Sequence, residues 1–416
     1  MALCLLSLLL SIFFAGCCSA GRELGPKKNP VKEQEEPGEE AGEKAEETVF
    51  PKKKDRDKSR EMELFSGKNS SSEKPGIDTD NRVTADTGEG KKTWKTPDSI
   101  FNVSSGFYQK LNKGEDVNIL INGDSIGAGS GATKGNSWTD LIKAYVESEY
   151  QVSCNVANIS LGGNGSYAGY VLLNALDDGT DYDLMVVCYG QNDEEAPFFT
   201  EYEALIRSAL KKYPSLNIIS VIESSQRDYT EKMREIEEIA EYYDLRTADT
   251  IAAFNNSGKK YEDLTVDALH PNDEGYKLYF EAVKEVIETE VANDTGVEDI
   301  TRIPLSNEVS GYENCAYYPA SRFVRKDDTT YELSLDKGFS GIIGLYHLFC
   351  PPNGDLVIRT DGKEAVRKPM NWTNPFNQYF IYKPDTNVHT ASRLVEISFP
   401  SREMADSFKG MAVSSI

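Results

Sequence analysis

Between residues 117 and 291, short apolar runs alternate with amphipathic helical stretches. This alternation constrains the fold more than any other feature of the chain. "VNILIN" (117–122), 152–160, 183–190 and 216–223 read as strands, with a weak fifth near 246–248. Helical spacing follows from Ser137, from 168, over 201–213, over 231–244 and over 273–291. The strands carry little polar–apolar alternation, which fits burial on both faces of a parallel sheet. Right-handed crossovers then give an α/β domain of three layers, a flavodoxin-like parallel sheet of order 2-1-3-4-5. In such a sheet, ligands bind beyond the strand C-termini, where the strand order switches.

Residues with catalytic chemistry sit at those strand ends. Ser125 follows the first strand in "NILINGDSIGAG", "NISLGGNG" follows the second and "GQND" the third. The chain has three histidines, and His270 in "DALHPN" is the one inside the alternating region. A serine hydroxyl needs a nearby base, and an imidazole is the side chain suited to that work near neutral pH. The base in turn needs a group to fix its tautomer, and Asp267 lies three residues before it. Attack on an acyl carbon requires donors for the oxyanion. The Ser125 N–H, the Gly163 N–H and the Asn192 amide are the candidates, with Gly162 replacing Gly163 if the loop shifts by one. Gly123 and Gly127 leave room for a sharp turn around the serine.

These blocks resemble the SGNH, or GDSL-type, hydrolase family. "GDS" at 123–125, the glycine five residues after Asn158, "GQND" and "DALHP" match in order over about 200 residues. The resemblance implies Ser125 as nucleophile, Asp267 and His270 as acid and base, and Gly163 and Asn192 in the oxyanion hole. It further implies an esterase needing no metal and no cofactor, with O-acylated carbohydrate as substrate class. The same catalytic set suits an O-acetyltransferase acting on cell-wall or capsular polysaccharide, or a lipase. A polysaccharide-binding lipoprotein on an inactive scaffold is the non-enzymatic alternative. Asp124 and Asp193 read as structural. Trp138, Tyr167 and Tyr170 read as helix-core residues with a sugar-stacking alternative, and Phe198 and Phe199 as core or acyl-pocket residues.

The flanking regions differ in composition. Residues 1–17 read as a lipoprotein-type signal: the apolar run from Leu5 to Ala15 is too short for a membrane span. It ends in "FFAGCC", which resembles a bacterial lipobox with lipidation at Cys17 and hence an extracellular, membrane-tethered chain, the alternative being a plain export signal and a secreted protein. Residues 18–97 are rich in charge, Pro, Gly and Ser and read as a disordered tether. The hydrolase domain is expected over 98–300. Over 301–416, "IIGLYHLF", "LVIRTDG", "QYFIYKP" and "RLVEISF" read as strands of an accessory antiparallel β-sandwich. Trp372, Tyr379 and Tyr382 are its candidate sugar platform, and His347 reads as structural.

Charge separates the regions further. Residues 101–300 hold 15 Lys and Arg against 36 Asp and Glu, nearly all of the chain's net charge of −23. Such a domain repels nucleic acid and anionic lipid, so contact with a membrane is expected through the lipid anchor alone. Cys154 and Cys188 are expected too far apart to bridge across the central sheet, whereas spacing leaves Cys315 and Cys350 open.

Overall fold

The computed structural model describes residues 105–297, 304–306 and 311–415. The signal segment with Cys17 and the charged tether lie outside the described residues. The described ones belong to one compact unit, Thr93–Ile416.

The first half is α1 (Phe107–Lys113), β1 (Val117–Gly123), α2 (Trp138–Tyr150), β2 (Cys154–Asn158), α3 (Ser166–Ala175), β3 (Leu184–Cys188) and α4 (Glu195–Lys212), continuing through β4 (Asn217–Ile222), α5 (Glu231–Tyr242), β5 (Arg246–Asp249), α6 (Thr250–Asn256) and α7 (Asp273–Ala292). All five strands pair in parallel in the order β2-β1-β3-β4-β5. Every residue of β3 is buried, as a central strand between two helical layers requires. Leu120, Met185, Val187 and Ile222 meet α3, α4 and α5 on one face. Ile119, Ile121, Val186 and Val221 meet α1, α2, α6 and α7 on the other. The expected three-layer α/β architecture and strand order are thus present.

The second half contains β6 (Asn314–Pro319), β7 (Val324–Arg325), β8 (Thr330–Ser334), β9 (Phe339–Phe349), β10 (Gly354–Thr360) and β11 (Lys363–Met370), then β12 (Gln378–Tyr382), β13 (Val388–Ala391), β14 (Leu394–Ser398), the short α8 (Arg402–Asp406) and β15 (Gly410–Ser415). One antiparallel sheet runs β11-β10-β14-β8-β7. The other runs β12-β9-β15-β6, with β13 also paired to β9. Leu333, Leu356, Ile358, Val395 and Ile397 from the first sheet pack on Ile343, Leu345, Met411 and Val413 from the second, which makes the sandwich.

The outer face of the second sheet packs on the α/β half. Ile381, Ala412 and Tyr312 join the same apolar cluster as Tyr167 and Tyr170 of α3. Tyr170 Oη donates to the Tyr312 carbonyl at 3.0 Å. Glu203 of α4 is fully buried and accepts from Leu305 N–H (2.6 Å) and Ser306 N–H (2.8 Å) in the connection between the halves. Lys383 forms an ion pair with Glu201 and donates to Tyr312 Oη at 3.1 Å.

Cys154, Cys188, Cys315 and Cys350 are free thiols. Cys154 pairs with Val117 and Cys188 with Gly123 on opposite sides of β1, six positions apart along it. Cys315 lies against the α/β half while Cys350 is in the sandwich core, so that pair does not bridge.

Candidate active site

β1 ends at Gly123, and the chain turns at once. Ala128 N–H donates to Asp124 O at 2.9 Å and Ser130 N–H to Ser125 O at 2.9 Å. Asp124 Oδ1 accepts from Ile126 N–H at 2.8 Å, and Trp138 Nε1 donates to Ile126 O at 2.9 Å. The turn is tight enough that Gly123 and Gly127 lie face to face. A Cβ on Gly127 would stand 2.8 Å from the Gly123 Cα. Buried neighbours thereby fix the backbone, and the half-buried Ser125 is presented at the sheet rim.

The second catalytic loop precedes α7. Val266 N–H donates to His270 O at 2.9 Å, and Asn272 caps the helix by accepting from Glu274 and Gly275 N–H. Arg227 donates to Ala268 O at 3.0 Å from the adjoining loop. Asp273 accepts from Thr133 N–H (2.7 Å) and Thr133 Oγ1 (2.6 Å), tying the serine loop to the start of α7.

These supports bring together side chains 145 positions apart. His270 Nε2 lies 2.9 Å from Ser125 Oγ, and His270 Nδ1 lies 2.8 Å from Asp267 Oδ2. The carboxylate also accepts from His270 N–H (2.7 Å) and Leu269 N–H (2.8 Å) through Oδ1. The backbone N–H of His270, helped by its imidazole, holds the Asp267 carboxyl down at about 2, so it stays ionised through ordinary pH. An ionised acceptor at Nδ1 favours the proton there and leaves Nε2 free to take the hydroxyl hydrogen of Ser125.

The donor side of the site is set by Asp124, which is fully buried. Its Oδ2 accepts from Asn192 Nδ2 at 2.6 Å. An amide nitrogen has two hydrogens, so one of them remains for another acceptor. Burial pushes the Asp124 carboxyl up to about 7. Desolvation likewise raises the half-buried Asp193 and, well above the usual range, the fully buried Glu223. Asp193 Oδ1 accepts from Ser166 N–H (2.6 Å) and Ser166 Oγ (2.7 Å), while Oδ2 accepts from Gly190 N–H (3.1 Å). It therefore joins the start of α3 to the "GQND" loop, as its structural reading required. Glu223 accepts from Gln191 N–H at 2.9 Å and steadies the same loop.

Of the two glycines, Gly162 stands nearer the nucleophile: a Cβ there would lie 3.4 Å from Ser125 Cβ. Gly163 adopts φ +71°, and a Cβ on it would run into the Gln378 amide.

Residues 121–278 match the model of the GDSL-like Lipase/Acylhydrolase family. This segment is a GDSL-type acylhydrolase domain. Two solved structures resemble the chain over most of its length, both of a two-domain esterase active on acetylated mannans. The one co-crystallised with mannopentaose is 18% identical and covers 75% of this chain and 95% of that one, with a TM-score of 0.59. The other is 18% identical and covers 75% and 96%, with a TM-score of 0.57. At this identity the likeness concerns the fold, here the pairing of both halves. None of the curated proteins compared with the chain matches it.

Burial decides between the two readings of the aromatics around the GDSL-type domain, in favour of core packing for those in its helices. Trp138 and Tyr170 are fully buried and Tyr167 nearly so, hence none offers a face to a sugar. Phe198 is buried in the core cluster, and Phe199 packs partly buried against it. Tyr382 lies within the sandwich, with its ring against His347 and Phe349 and its hydroxyl 3.1 Å from His347 Nε2. His347 is itself buried, which lowers it to about 4 and fits its structural reading. Tyr379 faces Tyr346 and lies under Lys409. Trp372 is half-buried and donates Nε1–H to Phe376 O at 2.8 Å, beside the exposed ring of Phe376. Sequence reading missed Asn164 and Gln378, which hold the glycine loop. Asn164 stood in plain view within "GGNG", whereas nothing local marks Gln378, 216 positions from its contact.

Proposed function

We propose that this chain is an extracellular serine esterase that removes O-acetyl groups from carbohydrate through an acyl-enzyme. The hydrogen-bonded line Asp267–His270–Ser125 carries the reading. Ser125 Oγ attacks the ester carbonyl carbon as His270 Nε2 takes its proton. Donors at Ser125 N–H, the Gly162–Gly163 turn and Asn192 Nδ2 receive the oxyanion. On collapse, His270 returns the proton to the departing sugar oxygen. Water, deprotonated by the same imidazole, then releases acetate and restores the serine.

The carbohydrate assignment has separate support. The similar two-domain esterase acts on acetylated mannans. The loop at 371–377, with Trp372 and Phe376, runs directly into Gln378, which touches the glycine loop beside Ser125. A sugar ring held there by stacking lies next to the reacting ester. The purified protein should release acetate from p-nitrophenyl acetate and from acetylated mannan. Ser125→Ala should lower the rate by at least about 10³-fold. Parent-level release from that variant would remove Ser125 from the mechanism.

A further inference from the structure

We propose that the accessory sandwich is a working part of the catalytic centre, because its edge strand β12 sets the glycine loop beside Ser125 through Asn164 and Gln378. The proposal rests on Ser125 as the nucleophile and on that loop as the receiver of the oxyanion.

Among the described residues, β12 ends its sheet and pairs with β9 alone. Alternate backbone groups on the far side of an edge strand have no sheet partner. Here the Asn164 side chain takes the place of one. Its Nδ2 donates to Tyr379 O at 3.0 Å, and its Oδ1 accepts from Ile381 N–H at 2.9 Å. A carbonyl and an N–H two residues apart are thus closed by one carboxamide, as a neighbouring strand would close them. Asn164 Nδ2 also lies 2.9 Å from Gly162 O. Gln378, at the start of the strand, donates to the same carbonyl at 2.7 Å. The Gly162 carbonyl therefore receives two amide donors, one from each half of the protein.

Gly162 itself stands beside the nucleophile, where a Cβ would lie 3.4 Å from Ser125 Cβ. Fixing the Gly162 carbonyl fixes the plane of the Gly162–Gly163 peptide, and with it the direction of the N–H of Gly163. The loop is otherwise held at its root, where Leu161 N–H donates to Gly123 O at 2.9 Å. Asn164 is 3% exposed, so the three hydrogen bonds of its side chain are shielded from competing water. Gln378 and Asn164 are positioning residues: they act on the oxyanion through the loop.

The test uses the whole protein with p-nitrophenyl acetate, a substrate too small to need a sugar platform. In Gln378→Ala, kcat should fall about 10- to 100-fold, because a misaimed donor is lost in part. KM should stay within about twofold. Inhibition by phenylboronic acid, whose tetrahedral adduct on Ser125 presents the same oxyanion, should weaken in parallel. Gln378→Glu keeps the side-chain length but removes the amide donor, and should behave alike. A kcat within twofold of the parent in both variants overturns the proposal, whatever happens to thermal stability. So does a rise in KM with kcat unchanged, which would make Gln378 a substrate contact. Ser125→Ala is run alongside. Activity retained there sinks the nucleophile and this proposal together, whereas unchanged Gln378 variants sink the proposal alone.

Discussion

Asp124 lies one residue before the nucleophile yet works from beneath it. One carboxylate oxygen holds Ile126 N–H and the other holds Asn192 Nδ2. Asp124→Asn can keep the first bond through its single oxygen. Its new NH₂ group then faces the Asn192 nitrogen, which relaxes only if Asn192 turns its own oxygen inward and its donors out of place. The rate on p-nitrophenyl acetate should drop about 10²-fold, the cost of one oxyanion donor. Stability should move the other way at higher pH. A carboxyl raised from its unfolded value near 4 to about 7 contributes stability below pH 4 that is lost as pH climbs through 7. The shift corresponds to a few kcal/mol, on the order of 1.4 per unit. Thermal midpoints from pH 4 to 8 should therefore decline less steeply in Asp124→Asn than in the parent. An unchanged slope would assign the decline to Glu223 and Asp193. At this scale the catalytic set was legible because "GDS", "GQND" and "DALHP" are short motifs, each carrying its own turn chemistry. Its supports were not, since the convergence of Asp124, Asp193 and Glu223 behind the site depends on three strand ends meeting.

The elements of the α/β half were legible for a related reason. Strands such as Leu184–Cys188 are apolar throughout and their helices strongly patterned, so local sequence and final environment agree. The helices Phe107–Lys113 and Thr250–Asn256 escaped because seven residues give too little periodicity. β11 escaped because an edge strand reading "KEAVRKPM" is mostly exposed and charged. Contacts between the halves were likewise invisible. Lys383 from just after β12 pairs with Glu201 of α4, with 13% and 8% of their side chains exposed. Removing one partner of so shielded a pair leaves the other charge stranded. Lys383→Ala should cost about 3 kcal/mol, read as a lower urea midpoint. Glu201→Gln combined with Lys383→Met, which removes both charges, should recover much of that loss.

Across the whole molecule, negative charge is concentrated in residues 101–300, the catalytic half. A surface of that sign is repelled by anionic lipid, and the lipobox-like "FFAGCC" leads us to propose lipid on Cys17 as the means of membrane association. Cys17→Ser, expressed in a bacterial host, should shift the protein from the membrane fraction to the soluble one without altering its acetate release. Retention on membranes would point to another anchor. The union of the two halves has its own consequence for recombination. Exchanging one accessory domain for another is usually thought of as a change of address that leaves the chemistry alone. Here a foreign module would have to arrive with an open strand border offering a carbonyl and an amide to Asn164, and a glutamine at its threshold. Without them the graft would inherit every catalytic side chain and still turn over slowly.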